Sequence, residues 1–134
     1  MKTAVDSSVL LDVFGADPEF GGRSREALRG AYDEGALVAC DVVWAEVRAS
    51  FRSDESFEEA VAVLGLTFDP IGPDATSLAG SLWQESRRRG GRRRIVADFL
   101  IGAHARQQAD RLLSRDRGFY RSYFSDLTLL DPAA

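Results

Sequence analysis

Four acidic residues of this chain occupy places where a carboxylate has a chemical use: Asp6, Glu46, Asp98 and Asp116. Asp6 lies in "AVDSSVLLDVF", between a short apolar run that suits a strand and residues with the spacing of a helix. Asp116 follows the apolar run "RLLS" by one residue. In an open α/β sheet the crevice outside the carboxyl ends of the strands is where ligands bind, so both acids are expected at such a crevice. On a helix starting at Val42, 100° per residue puts Glu46 on the side of Val42, Val43, Ala49 and Ser50, with Arg48 and Arg52 nearly opposite. Asp98 opens "ADFLIGAHA", an apolar helix whose first turn favours negative charge. Each has a plainer alternative: a helix cap for Asp6 and Asp98, a solvated edge or an ion pair for Glu46, a turn acid for Asp116. Four carboxylates converging on one rim cannot all stay charged without a cation. Oxygen-only ligation, in a chain with a single histidine (His104) and a single cysteine (Cys40), suits Mg²⁺ or Mn²⁺ rather than zinc.

The elements that must position these acids are legible from periodicity and breakers. Strands are expected at Lys2 to Val5, 36–40, 66–71, Arg111 to Ser114 and Leu127 to Leu130. Helices are expected at Ser7 to Phe14, Arg23 to Glu34, Val42 to about Arg52 with Asp41 as cap, Ser56 to Leu64, Asp74 to Arg89 and Ala97 to Asp110, with glycines closing several. The stretch carrying Phe119, Tyr120, Tyr123 and Phe124 reads as irregular. Strands alternating with helices indicate an α/β fold, a three-layer sandwich with a central, mainly parallel sheet. His104, nearly two turns into the helix of Asp98, reads as packing.

A length of 134 residues with 45% hydrophobic side chains suits one domain spanning 1–134 with a proper core. One cysteine forms no internal disulfide, and neither a signal peptide nor a membrane span is read, so a cytoplasmic location is expected. The net charge of −4 hides an asymmetry: residues 1–86 hold 6 basic and 16 acidic side chains, residues 87–121 hold 11 and 3. Arg87 to Arg89, Arg92 to Arg94, Arg115 and Arg117 therefore surround the later acids with positive charge, suited to steering a polyanion; solvated helix-end charge is the plainer alternative. The nearby aromatics could stack on bases, although packing suits at least two of them better.

Taken together, Asp6 with Ser8, Glu46, "ADFLIGAHA" and "LLSRDRGFYRSYF" resemble a PIN domain, specifically the VapC toxin of bacterial toxin–antitoxin pairs, over about residues 3–132. The resemblance implies that Asp6, Glu46, Asp98 and Asp116 hold Mg²⁺ or Mn²⁺ and cut RNA, a tRNA or a ribosomal RNA, leaving a 5′-phosphate and a 3′-hydroxyl. It implies that Ser8 and Ser114 support the site, and that the protein is a homodimer neutralised by a separate VapB-type antitoxin. Arg92, Arg93, Arg94, Arg115 and Arg117 are then candidate RNA contacts, and "RRRGGRRR" is unusually basic for the family. A catalytically silent RNA-binding or scaffold module is the alternative. A receiver domain is excluded, since two serines follow Asp6 and the only lysine is Lys2; no Gly-rich nucleotide fingerprint occurs.

Overall fold

The computed structural model describes residues 1–90 and 94–132. In chain order the elements are β1 (Thr3–Val5), α1 (Ser7–Phe14), α2 (Gly21–Glu34), β2 (Leu37–Ala39), α3 (Asp41–Arg48), α4 (Asp54–Leu64), β3 (Leu66–Phe68), α5 (Pro73–Arg89), α6 (Val96–Gln108), β4 (Arg111–Leu113), α7 (Arg117–Tyr123) and β5 (Leu129–Leu130). The five strands form one sheet in the order β3-β2-β1-β4-β5, every neighbour parallel. Parallel strands need crossovers, and the helices supply them while covering the sheet in the expected three-layer arrangement.

The central strands carry no alternation because both faces are covered: all of β1, β2 and β4 are buried, whereas edge strand β3 buries only Leu66. Around them Val9, Leu10, Phe99, Ala103, Leu112, Leu113 and Phe124 form the centre of the core. Helix α6 packs on β1, β4, α3 and α5, which explains why its residues Ile101 to Ala105 are all buried. Among the described residues no helix is long and apolar enough to cross a membrane.

Three local expectations change. Asp41 does not cap α3; Cys40 occupies that position without a side-chain hydrogen bond, and Asp41 sits in the first turn, where its charge still suits the helix dipole. Helix α4 begins earlier than expected, because the Ser53 hydroxyl accepts from the Ser56 N–H and caps it. The stretch expected to be irregular is α7: Asp116 caps it, and Phe119, Tyr120, Tyr123 and Phe124, at offsets of one, four and five, all face inward as helical periodicity allows. Helix α5 ends as expected, at Gly90 in a left-handed conformation with φ 64°.

Gly102 is what lets α7 close on α6. A Cβ there would stand 2.3 Å from the Phe124 ring, which is itself buried and has nowhere to retreat. Gly102→Ala should therefore destabilise the protein by about 1–3 kcal/mol, the usual cost of overpacking, and outweigh alanine's better helix propensity. Urea unfolding with an unchanged m-value checks this.

Candidate active site

The sheet steps outward from β1 through β2 to β3, and the chain then returns to lay β4 on the other side of β1. The connections diverge between β1 and β4, leaving a crevice at their carboxyl ends where an α/β sheet binds its ligands. Asp6 follows β1 directly, and its N–H donates to the carbonyl of Leu113 at 2.9 Å, joining the two strand ends.

Asp6 caps α1 with one oxygen and turns the other to Ser114 and Tyr120. Its Oδ1 accepts from the Ser7 N–H at 2.8 Å and so starts α1. Its Oδ2 accepts from the Ser114 hydroxyl at 2.7 Å and the Tyr120 hydroxyl at 3.3 Å. Ser114 Oγ in turn accepts from the Asp116 N–H at 3.0 Å, so one hydroxyl fixes the spacing of two acids. Asp116 caps α7 by accepting from the Phe119 N–H. Asp98, by contrast, is no cap: Ile95 holds that position, and Asp98 stands in the first turn of α6.

Electrostatics tie the four acids together. Burial holds the Asp6 carboxyl above its ordinary value against the hydrogen bonds it accepts, and the charge of Asp116 pushes the same way. Glu46 as a residue is exposed, not buried on an apolar face as the sequence suggested. Its carboxyl end is sheltered enough that lost hydration raises it, as do the charges of Asp6 and Asp98, while Ser7 draws it down. Asp98 is raised by burial and by Asp116, and lowered by Arg94. The Tyr120 hydroxyl lies well above its ordinary value, from burial and from Asp6, Asp98 and Asp116, and so remains a donor.

The donor set suits a hard cation: carboxylate oxygens only, each of three disfavoured as a charge by its neighbours. Ser8 adds a buried hydroxyl with no partner among the described residues, in the first turn after Asp6. As they stand, however, no three His, Cys, Asp or Glu side chains among the described residues are gathered closely enough to hold an ion. Between two of the acids lies Arg94, whose Nη1 is 3.1 Å from Asp116 Oδ2 and 3.9 Å from Asp98 Oδ2.

The other arginines are placed differently from the sequence expectation. Arg115 pairs with buried Asp12 through two contacts of 2.7 and 3.0 Å, and lies 4.1 Å over the Phe20 ring. Arg117 pairs with Asp131 at 2.7 Å. Neither charge is unengaged. Arg92 and Arg93 lie outside the described residues. His104 is buried and bonded to Asp69 at 2.7 Å, matching the packing role read for it. Cys40 is buried, and its thiol is pushed up to about 11 by desolvation. Phe119, Tyr120 and Phe124 are buried, with Tyr123 packed against Phe99 and Phe119, so this cluster is core and not a base-stacking platform. The residue missed in the sequence is Tyr120; helical periodicity after Asp116 is the signal that places it inward.

The sequence profile of the PIN domain matches residues 3–125. No curated protein sequence matches the chain. Among solved structures it is similar to VapBC2 from Rickettsia felis bound to a promoter DNA fragment, at 16% identity and TM-score 0.74 over 98% of each chain. It is similar to VapBC-1 from nontypeable Haemophilus influenzae at 17% identity and TM-score 0.71, covering 100% of each chain. A third similar structure is Mycobacterium tuberculosis VapC20, described as a sarcin–ricin loop cleaving toxin, at 14% identity and TM-score 0.63 over 94% of this chain and 98% of that one. At such identities the likeness is one of fold.

A carboxyl held above its unfolded value sheds its proton first in the unfolded chain, so the native state binds more protons and stability falls as pH rises through that window. For Asp6 the window opens at the ordinary aspartate value of 3.8. In chelator, Asp6→Asn should lack this loss and melt higher than the native sequence by a few degrees near neutrality, with the gap closing toward low pH. Melting temperatures of both proteins from pH 4 to pH 8 check the sign.

Proposed function

The chain belongs to the PIN domain family, whose profile spans most of its length, and on that premise we propose that it is a VapC-type toxin, a metal-dependent endoribonuclease. The observation that carries this reading is the tie of the strand-end acids Asp6 and Asp116 through the Ser114 hydroxyl at the carboxyl ends of β1 and β4, with Arg94 reaching from Asp116 toward Asp98. Asp6, Glu46, Asp98 and Asp116 would hold Mg²⁺ or Mn²⁺, and the buried Ser8 hydroxyl, two residues after Asp6 and without a partner among the described residues, would support them. A hard divalent ion supplies a bound water of lowered pKa and stabilises charge on a phosphodiester in hydrolysis.

The chain's own residues do the rest. Ser114 and Tyr120 donate to the same oxygen of Asp6 and keep that carboxylate oriented. Ser114 also ties the Asp116 backbone to Asp6, which sets the separation of the two strand-end acids. The helix N-termini of α1 and α7 stabilise the charged forms of the acids that cap them. His104, the sole histidine, is committed to Asp69, so it offers no free imidazole for a covalent or general-base route. Hydrolysis in this reading leaves a 5′-phosphate and a 3′-hydroxyl. The substrate class is tRNA or ribosomal RNA. A VapB-type antitoxin is the partner, supported by the fold shared with VapBC complexes, and the resemblance to VapC toxins implies a homodimer as the working unit.

Asp98→Asn tests the site without disturbing a cap, because Asp98 caps nothing. The variant should stay folded and lose at least the roughly 100-fold that even outer-shell substitutions cost a metal site. Cleavage of total RNA in Mg²⁺ or Mn²⁺, compared with chelator, reads this out. Cleavage in chelator, or a wild-type rate in the variant, would sink the assignment. Wild-type protein binding RNA without cutting it would favour the silent module instead.

A further inference from the structure

Arg94 is held from three directions. Its Nη1 contacts Asp116 Oδ2 at 3.1 Å and Asp98 Oδ2 at 3.9 Å. Its guanidinium carbon lies 4.6 Å over the ring of Phe119, which is buried among Phe99, Tyr120 and Tyr123. Its backbone carbonyl accepts from the Trp83 indole N–H at 3.3 Å. The ring and the indole fix where the side chain starts and where it lies, so the charge is delivered to one place.

Among the described residues, every other arginine ion pair is made with an acid outside the cluster: Arg48 with Asp54, Arg89 with Glu85, Arg106 with Asp126, Arg111 with Glu34, Arg115 with Asp12 and Arg117 with Asp131. Among the described residues only Arg94 pairs with members of the four, and it does so with two of them, Asp98 and Asp116. A single nitrogen serves two carboxylates whose backbones are fixed, one in the first turn of α6 and one at the start of α7. It thus stands where an ion shared by Asp98 and Asp116 would bind, and among the described residues no three acids are gathered closely enough to hold one.

We infer that Arg94 is a built-in counter-cation of the acid cluster, which neutralises Asp98 and Asp116 in the metal-free protein, yields its place when a divalent ion loads, and thereby weakens metal affinity. This rests on the proposed metal site. Two cations cannot share those oxygens at contact distance without strong repulsion, so occupancy is a competition. The site is then stable without metal and loads only where free Mg²⁺ or Mn²⁺ is high enough to displace the guanidinium.

The test is calorimetric titration of Mn²⁺ into the full chain, together with melting in chelator, for the native sequence, Arg94→Gln and Arg94→Lys. Arg94→Gln should melt a few degrees lower in chelator yet bind Mn²⁺ on the order of tenfold tighter, and Mn²⁺ should raise its melting temperature further than that of the native protein. Mn²⁺ binding to the native chain with equal or weaker binding to Arg94→Gln would overturn the inference and leave the metal site standing, because Arg94 would then be orienting the acids. Absence of binding in every form would sink the metal site and the inference with it. Arg94→Lys keeps a charge but lacks the planar fork. Should the Gln variant fail to fold, tighter binding by the Lys variant than by the native chain supports competition, and equal or weaker binding overturns it.

Discussion

Repulsion among carboxylates on one rim of a parallel sheet is the constraint on which this structure turns. Parallel strands all end on the same side, so acids placed after β1 and β4 are neighbours whether or not the sequence separates them, here by 110 positions between Asp6 and Asp116. Such crowding raises the cost of the charges on Asp6, Glu46 and Asp98, and the fold answers with fixed dipoles and hydrogen bonds. The N–H groups of α1 and α7 face two of the acids, a serine hydroxyl links them, and a guanidinium is wedged beside the other pair member. Ser114 and Tyr120 are best understood as parts of this compensation. Each presents a donor to an oxygen that burial has stripped of water.

Much of this was legible in the sequence, for a physical reason. The alternation of short apolar runs with amphipathic segments is imposed by burial on both faces of a sheet, so the α/β order and the strand-end positions of Asp6 and Asp116 follow from periodicity and turn residues alone. In the sequence, cap and ligand read as rival roles for Asp6. They are compatible, because a carboxylate has two oxygens, one turned to α1 and one to Ser114 and Tyr120.

What stayed hidden depended on partners remote in the chain. Helix α7 was unreadable because a run of seven residues carrying glycine and three aromatics has little propensity of its own; docking on α6 over Gly102 makes it a helix. Arg115 and Arg117 looked like RNA contacts from their nearness to Asp116 in sequence, yet each is turned by an acid no local pattern points to, Asp12 in one case and Asp131 in the other. Glu46 could be placed on the correct side of α3 but not at its exposed margin, since the width of the buried stripe is set by what packs against it.

The pairing of Arg115 with Asp12 reaches further than its own stability. Asp12 lies on α1 and also accepts from Ser24 on α2 at 2.9 Å, while Arg115 is joined by a single peptide bond to Asp116. The first two helices and the residue before the last strand-end acid are therefore joined by one continuous set of hydrogen bonds through the planar guanidinium. Substitution of Ser24 removes one of the two side-chain partners that hold Asp12, the acid that anchors the residue next to Asp116.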